Sequence, residues 1–480
     1  MKPNAQSSQP TTFKLTILHT NDIHGRVPQL ERVATLVREI RGEVESNGGF
    51  CLYVDAGDAE DTILLESSLT KGSAMNAILR GAGCEYAALG NAIPVRYGPQ
   101  AVADLALHFG RPLLCANFFD ANDELVKGLE PFAIHDFGGF KLGIIGVTDP
   151  NKAYNTFFNM HVVPADDLLP NLIAQVRTLG AQTVLLLSHL GLRDDKRVIE
   201  NIGGIDLLIG GHSHDLLDPP LQINETILAQ AGDYGRFLGR LDLTIDPASG
   251  KVTHFEHALL PIEETIDPDP AAHAAVESER VRVQAIMSRE VGMLSAPFEL
   301  SDEKECAVGN LLADALLERV KGAQMAFVLA GHWETALEKG LLTQGALFAA
   351  NRSTANPAWL KLTGSQIKQF LREALKAENA ARTPHGLRGR AVGMPHIAGA
   401  IIRRNGSSSG EVEIEYQGRV IRDDESFLVA STDMEFADFI GYLVIPFEEI
   451  EFEVPTIMPE VLEDYIRRHS PLSIPPTRLK

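Results

Sequence analysis

The chain has 480 residues, about three times the length of a typical domain, so two or three domains are expected. With 45% hydrophobic and 22% charged residues, it has the composition of a globular protein able to bury a large core. The formal net charge of −21 argues against nucleic acid and anionic membranes as partners, because both would repel the chain.

Export and membrane signals are not apparent in the sequence. The N-terminal segment, residues 1–15, has no apolar stretch of the length that an export signal needs, and no later run approaches the ~20 apolar residues that span a bilayer. Four cysteines lie far apart in or beside apolar runs and form no CxxC pair: Cys51, Cys84, Cys115 and Cys306. Buried free thiols in a reducing compartment are expected, and hence a soluble cytoplasmic protein.

The first half of the chain alternates short β-rich runs with segments of helical period. Helices are predicted around residues 30–40, 73–82 and 167–179. The β-rich runs read, in chain order, FKLTILHT, FCLYVDAG, YAALGN, RPLLCANF, KLGIIGVT, TVLLLSH, IDLLIGGHSH, TILAQAG and GRLDLTID. This alternation predicts an α/β protein with sheets covered by helices, whose functional groups gather at one end of the strands.

A domain boundary is predicted at residues 262–292, where a Pro/Asp-rich breaker precedes a charged, Ala-rich helical stretch. We expect a first domain at 12–262, a linker helix at 263–295, a second domain at 296–460 and a C-terminal tail at 461–480. The second domain opens with the amphipathic helix ECAVGNLLADALLERV and mixes further helices with the strands QMAFVLAG, AWLKLTG and SFLVAS. It therefore resembles a smaller α+β domain, with a polar loop NGSSSG at 405–410.

Five apolar runs end in residues able to bind a metal: ILHTNDIH, YVDAGD, ALGN, LLLSH and LIGGHSH. Loops beyond the carboxyl ends of strands share one crevice in α/β proteins, so these residues can meet. The candidates are Asp22, His24, Asp58, Asn91, His189, His212 and His214. Imidazole nitrogen and carboxylate oxygen suit Zn, Mn, Co or Fe, and seven donors exceed what one ion needs, so two divalent ions are predicted.

Each ion can be assigned a set of ligands. Asp58 is the candidate bridge, with Asp22, His24 and His214 on one ion and Asn91, His189 and His212 on the other. Asp22 with His24, and His212 with His214, stand two residues apart, so an extended segment would project each pair to one side. The histidines need further partners to fix their tautomers, and Asp55, Asp194 and Asp215 are near in sequence. Other histidines are expected to be structural: His19, His108, His135, His254, His257 and His273.

Two ions ~3.5–4 Å apart can share a water, lower its pKa toward neutrality and hold phosphoryl oxygens during in-line displacement. Small phosphate esters are therefore the expected substrates, attacked by metal-bound hydroxide. A Ser or Cys nucleophile is unnecessary in such a reaction.

The motifs resemble the calcineurin-like metallophosphoesterases and, within them, the two-domain 5′-nucleotidase family: ILHTNDIHG, VDAGD, GN, SHLG and GGHSH. ILAQAGDYGRFLGRLDL, ECAVGNLLADALL and LKLTGSQIKQFLREAL extend the resemblance over about residues 13–445. It implies a four-layered α/β/β/α metal domain and a smaller α+β C-terminal domain, with the substrate, a nucleotide or nucleotide derivative, between the two.

The family's catalytic box is altered in this chain. The box reads Gly-Asn-His-Glu-Phe-Asp in the family, where the His and Asp stabilise the transition state or protonate the leaving oxygen. Here Gly90 and Asn91 are kept, Ala92 replaces the His, and Val95, or Arg96 if the loop carries an insertion, replaces the Asp. Arg96 or Tyr97 could replace the lost donor, although a solvent-facing loop is the simpler role for both.

The second domain departs from the family pattern as well. LAGHWET stands where the family carries Asn-Gly-Gly-Gly-Ile-Arg, so Thr335 takes the place of the phosphate-binding Arg. Arg352 could restore a cation that binds substrate phosphate, or could form a salt bridge. Trp333 could stack on a base, although packing is the simpler role.

These substitutions leave three functions to compare. The first is a dinuclear-metal phosphoesterase whose activity is reduced or is selective for good leaving groups. The reason is that general acid catalysis typically accelerates a reaction by about 10²–10⁴-fold. The second is a metal- and nucleotide-binding sensor or scaffold without turnover. The third is a metal-dependent hydrolase of sulfur-containing esters.

Overall fold

The computed structural model describes residues 12–62, 64–384, 390–404, 412–437 and 440–480. The first eleven residues and the polar loop predicted at 405–410 therefore lie outside the described residues. The chain divides into two compact units, residues 1–283 and 284–480. Among the helices of the described residues, none has the length and apolar character needed to cross a membrane.

The first unit contains strands and helices in alternation along much of its length, as the sequence predicts. Its strands are β1 Phe13–Thr20, β2 Phe50–Asp55, β3 Tyr86–Ala87, β4 Leu113–Leu114, β5 Phe118–Phe119, β6 Leu129–Glu130, β7 Phe132–Asp136, β8 Lys141–Thr148, β9 His161–Val162, β10 Thr183–His189, β11 Leu207–Gly210, β12 Leu221–Ile223, β13 Thr226–Ala229, β14 Phe237–Ile245 and β15 Val252–Pro261. Its helices are α1 Val27–Ser46, α2 Leu65–Leu69, α3 Ser73–Gly81, α4 Ala92–Tyr97, α5 Val102–Phe109, α6 Lys152–Phe158, α7 Ala165–Thr178, α8 Leu192–Asn201 and α9 Pro270–Met287.

Two sheets organise this unit. The first has the order β15-β14-β1-β2-β3, with β1, β2 and β3 parallel. The second has the order β12-β13-β11-β10-β8-β7, with β13, β11, β10 and β8 parallel. The parallel strands therefore occupy the middle of the second sheet and one side of the first, and their carboxyl ends carry the predicted metal ligands.

Side chains that alternate between the two faces of each strand divide the core of the first unit into layers. In β10, Leu185 and Leu187 pack between the two sheets, whereas Val184 and Leu186 pack on the other face against α7 and α8. In β1, Leu18 faces the helical layer of α1, α3 and α5. Because side chains of a strand alternate between faces, each sheet buries both of its faces. The four-layered α/β/β/α fold expected from the resemblance is confirmed.

The second unit is smaller and also mixed. Its strands are β16 Glu290–Leu294, β17 Met325–Leu329, β18 Gly340–Thr343, β19 Pro357–Thr363, β20 Pro395–Ala398, β21 Ile401–Arg404, β22 Val412–Tyr416, β23 Arg419–Val420, β24 Ser426–Thr432 and β25 Glu451–Phe452. Its helices are α10 Ala307–Arg319, α11 Gln344–Ala350, α12 Gly364–Ala374, α13 Ala377–Ala380, α14 Asp433–Phe436 and α15 Met458–His469.

A sheet of order β20-β17-β24-β19-β25 forms the centre of this unit, with β17 and β24 parallel. One face is covered by α10 and α15, and the other by α12, whose Phe370 ring stacks on Phe327 at 4.2 Å. The local sequence fixes where α12 begins, because Thr363 and Gln366 form a capping box that satisfies two free backbone N–H groups. The α+β class predicted for this domain is confirmed.

The domain limits predicted from sequence can be compared with these elements. Residues 263–295, expected as a linker helix, contain α9, and the division between the two compact units falls inside that helix. Residues 461–480, expected as a tail, contain most of α15, whose Val461, Leu462 and Ile466 are buried in the core of the second unit. The four cysteines are each buried with a free thiol.

Candidate metal centre

The seven predicted ligands lie at the carboxyl ends of parallel strands from both sheets of the first unit. Asp22 and His24 follow β1, Asp58 follows β2, and Asn91 lies beyond β3. His189 is the last residue of β10, and His212 and His214 follow β11. This is the edge at which α/β proteins bind ligands.

Three of these residues form a first group around one point. The two imidazole Nε2 atoms of His24 and His214 are 3.1 Å apart, and Asp22 Oδ1 lies 3.7 Å from the former and 3.4 Å from the latter. Donor atoms about 2.0–2.1 Å from a tetrahedral ion are about 3.4 Å from one another. The spacing of this group fits one divalent ion.

A second group surrounds His189. Its Nε2 lies 3.3 Å from Asp58 Oδ2 and 3.1 Å from Asn91 Oδ1, and His212 Nδ1 lies 2.9 Å from the same Asn91 oxygen. Asp22, Asp58 and His189 also have donor atoms within 4.8 Å of one another, so Asp22 belongs to both groups. The two groups are adjacent, and the assignment of Asp58 as the bridge stays a prediction.

The backbone at these ligands is not extended. Asp22, His24, Asp58, His212 and His214 all have φ between 47° and 72°, in the left-handed region that non-glycine residues rarely adopt. The expected extended backbone is therefore wrong: Asp22 and His24 still reach the same group, whereas His212 and His214 reach different groups. Such strain is typical of functional sites, where the surrounding structure holds it in place.

Two glycines leave room for the ligands. A Cβ at Gly90 would lie 2.0 Å from Asp58 Oδ1, and a Cβ at Gly57, where φ is +99°, would lie 2.8 Å from His189 Nδ1. The backbone N–H of Ala92 donates to Asp58 Oδ1 at 2.9 Å. Position 92 therefore orients a ligand through its backbone even though its methyl group has no acid–base chemistry.

Three histidines have a second partner for the ring nitrogen that faces away from the groups. His24 Nδ1 lies 3.2 Å from the Glu60 carbonyl, His189 Nδ1 lies 2.8 Å from the Ala56 carbonyl, and His214 Nδ1 lies 3.1 Å from Asp233 Oδ2. These contacts fix ring orientation and tautomer.

The sequence did not indicate Asp233, which lies in a loop after β13, far from the five motifs. The three aspartates suggested from sequence make other contacts. Asp55 accepts from Thr20 Oγ1 at 2.6 Å, Asp194 pairs with Arg197, and the Asp215 carbonyl accepts from Gly232 N.

The oppositely charged forms of His189 and Asp58 stabilise each other inside the site. Although burial opposes charge on both groups, the Asp58 carboxylate raises the pKa of His189, and His189 lowers the pKa of Asp58. Burial, aided by Asp58, raises the pKa of Glu60 to about 7, and Asn76 donates to that carboxylate. The site thus concentrates carboxylates that positive charge would stabilise.

The segment after Asn91 is helical and not a loop. Ala92–Tyr97 forms α4, with Pro94 in its first turn, where a missing N–H is tolerated. Val95 packs against the core, and Tyr97 is buried, with Lys71 above its ring. The solvent-facing role considered for Tyr97 is therefore wrong.

The predicted substrate residues lie in the second unit. Arg352 is exposed, with its guanidinium 5.8 Å from the centre of the Phe348 ring, and Trp333 is fully buried in the core, which confirms a packing role. Beside them, His332 contacts Glu435 Oε1 at 2.9 Å and Ser353 Oγ at 2.7 Å. Sequence reasoning missed this buried network, because its members are 21 to 103 positions apart.

Two family models match the chain. The calcineurin-like phosphoesterase model matches residues 15–216, and the 5′-nucleotidase C-terminal domain model matches residues 289–444.

Among curated proteins, the chain is 26% identical to an uncharacterised metallophosphoesterase, YunD, of Bacillus subtilis, over 94% of this chain and 98% of that protein. It is also 26% identical to the trifunctional nucleotide phosphoesterase YfkN of the same organism, covering 90% of this chain but only 32% of that protein. A 5′-nucleotidase of Diplobatis ommata is 27% identical over 64% of this chain and 59% of its own length.

Solved structures share the fold over nearly the whole chain. The NAD nucleotidase of Haemophilus influenzae has a TM-score of 0.60 at 17% identity, covering 98% of this chain and 99% of its own. A 5′-nucleotidase precursor of Thermus thermophilus has a TM-score of 0.54 at 20% identity, with the same coverage.

Proposed function

The chain belongs to the calcineurin-like phosphoesterases with a 5′-nucleotidase C-terminal domain, hydrolases of phosphate ester bonds, and we propose that it hydrolyses a nucleotide or nucleotide derivative with two divalent ions. The observation that carries this proposal is the convergence of seven donors from two sheets into two adjacent groups at ligand spacing. The metal- and nucleotide-binding scaffold is not favoured, because a protein without turnover has less need of a complete donor set.

In this proposal, Asp22, His24 and His214 hold one ion, and Asn91, His189 and His212 hold the other, with Asp58 between them. Two ions of Zn, Mn, Co or Fe would polarise the phosphoryl oxygens and lower the pKa of a bound water. The Ala92 N–H and Gly90 keep the Asp58 carboxylate in place. Asn91 and His189 would lie nearest to the phosphoryl group.

The test begins with metal analysis of the purified protein, followed by phosphate release from p-nitrophenyl phosphate and a nucleotide panel with the found ion added back. We expect chelation to abolish release. We also expect Asp58→Asn to lower both ion content and activity, whereas Asp123→Asn, an exposed carboxylate, should change neither. Full activity after complete removal of metal would contradict the proposal.

Arg352 is proposed as a phosphate contact of the substrate domain, because its guanidinium is exposed and a planar fork suits phosphate. Arg352→Ala should then raise KM for nucleotides with little effect on kcat. An unchanged KM would contradict this role.

A further inference from the structure

We propose that Arg26, supported by Tyr234, binds a second phosphate of the substrate beside the first ligand group, so that the substrate is a nucleotide derivative with two adjacent phosphates. This inference rests on the proposed function and names the substrate class of the same site. Neither residue belongs to the seven predicted ligands. Arg26 directly follows the NDIHG motif and precedes α1, and Tyr234 lies in the GDYG segment between β13 and β14.

The Tyr234 ring lies against both imidazoles of the first ligand group. Its centre is 5.8 Å from the centre of the His24 ring and 5.9 Å from the centre of the His214 ring. Tyr234 is 37% exposed, and the side chains of His24 and His214 are 16% and 35% exposed. The ring therefore borders a side of the metal centre that solvent and a ligand can reach.

Main-chain contacts hold Tyr234 in this position. Its φ is 55°, in the left-handed region, which is strained for a bulky residue. The Tyr234 N–H donates to the Asp22 carbonyl at 2.7 Å, so the loop is joined to the segment that carries two ligands. Gly232 and Gly235, on either side, also have positive φ, at 76° and 61°. Backbone strain that keeps a large ring partly in solvent is typical of a residue that contacts a ligand.

The guanidinium of Arg26 lies over the Tyr234 ring, 4.6 Å from its centre. Its Nη1 donates to the His24 carbonyl at 3.3 Å, which places the cation next to a ligand. Among the described residues, no carboxylate pairs with this guanidinium, although Asp and Glu outnumber Lys and Arg by 64 to 43 in the chain. A cation that keeps no carboxylate partner in so acidic a chain, beside a metal centre, suits an anionic ligand.

The geometry of the guanidinium suits a phosphate. Contact with the ring fixes the plane of the guanidinium, and the His24 carbonyl occupies one of its five N–H groups. The other N–H groups can form two parallel hydrogen bonds with two oxygens of one phosphate. A phosphoryl group held by the ions would bring a phosphate joined to it toward this side of the first ligand group.

The residue at position 92 favours the same substrate class. Ala92 has no acid–base group, so it cannot protonate a leaving oxygen. A phosphate leaves as a stable anion, because its second pKa is about 6, whereas a ribose 5′-alkoxide needs a proton. As the oxygen of water bonds to the transferred phosphorus, the bond to the bridging oxygen breaks, and its electron pair stays on the leaving phosphate. The released phosphate keeps one hydrogen of the water, and the other leaves as a proton to solvent.

Substrates with one and with two phosphates provide the test. In adenosine diphosphate (ADP), the terminal phosphate is transferred, and adenosine monophosphate (AMP) leaves with the phosphate that Arg26 binds. AMP and p-nitrophenyl phosphate have no second phosphate. We expect Arg26→Gln to raise KM for ADP by about 10–100-fold, as for loss of a charged hydrogen bond, and KM for the other two by less than about threefold.

The same variant should keep its kcat for ADP, its ion content and its unfolding temperature, because Arg26 makes no side-chain cap for α1. Arg32→Gln is the matched control, since Arg32 lies on α1 and also donates to a backbone carbonyl, that of Pro28, at 3.5 Å. It should leave all three KM values unchanged. Tyr234→Phe keeps the ring and should behave like the wild type, whereas Tyr234→Leu should raise KM for ADP selectively.

Two kinds of result distinguish this inference from the proposed function. Equal changes in KM for all three substrates in Arg26→Gln, an unchanged KM for ADP, or wild-type protein that hydrolyses AMP but not ADP would overturn the inference. If metal-loaded wild-type protein hydrolysed none of the three substrates, the proposed function itself would fail.

Discussion

Single glycines decide whether the metal groups can form. Gly90 approaches the Asp58 side chain so closely that any β-carbon would displace it, and this demand is visible in the Gly-Asn pair of the sequence. Asp233 was not predicted, because it lies outside the histidine-rich motifs. Its contact with His214 depends on how the loop after β13 folds, which a sequence pattern does not encode.

Gly90→Ala should abolish metal loading. The new methyl would clash with Asp58 Oδ1 and its backbone nitrogen, so we expect ion content to fall by at least about tenfold, as for loss of a supporting contact. Mass spectrometry of ion content measures the effect. Gly42→Ala, exposed in α1 with no atom near its Cβ, is the control and should bind ions normally. Normal loading of Gly90→Ala would contradict the geometry.

Asp195 makes stability depend on pH. Burial raises its pKa from 3.8 to about 8, so the folded state holds a proton that the unfolded state has released. Its contribution is present below about pH 4 and is lost as pH rises through about 8. Asp195→Asn should therefore flatten the fall in the free energy of unfolding over this range, measured with denaturant on metal-free protein. An unchanged slope would contradict the shift.

At the scale of elements, strands were predicted most accurately from sequence where the apolar runs were long. β1, β8 and β10 were all expected from their runs, because each is buried on both faces. α4 and α15 were missed. α4 has only six residues with a proline in its first turn, and α15 has a polar composition whose four buried positions become evident only against α10.

The helix α15 should be a stabilising part of the second unit. Leu462 is fully buried, so Leu462→Ala should lower the free energy of unfolding by about 2–5 kcal/mol. Val444→Ala removes a comparable side chain that is 92% exposed and should have almost no effect. Thermal and denaturant unfolding of both variants measure the difference. Equal stability of the two would show that residues 461–480 are a dispensable tail.

At the scale of the whole molecule, the ions would join two layers of the first unit. Asp22, Asp58 and Asn91 come from one sheet, and His189 and His212 come from the other, so ions that bind only the folded arrangement must stabilise it. Sequence reasoning reached this convergence because it follows from the general position of strand ends. The distances between the donor atoms could not be predicted from sequence, because they depend on how the two sheets pack.

Removal of metal should lower the unfolding temperature of the first unit. An ion at 100 times its Kd adds about 2.7 kcal/mol to the stability of the folded state. Calorimetry with and without chelator should show a shift in the transition of the first unit only, and Asp58→Asn should abolish the shift. An identical calorimetric transition for metal-loaded and chelated wild-type protein would contradict stabilisation of the first unit by ions bound between its two sheets.

The left-handed turns at five ligands are held by main-chain bonds, such as Asp22 N to Gly57 O at 2.9 Å and His24 N to Asp58 O at 3.0 Å. The entropy of arranging the donors is thus lost when the polypeptide folds and not when ions arrive. Binding of an ion from solution then requires little rearrangement of the protein. The rate of ion uptake by metal-free protein should therefore be set by the loss of water from the incoming cation. A cell could exchange one transition metal for another in the mature protein without unfolding it.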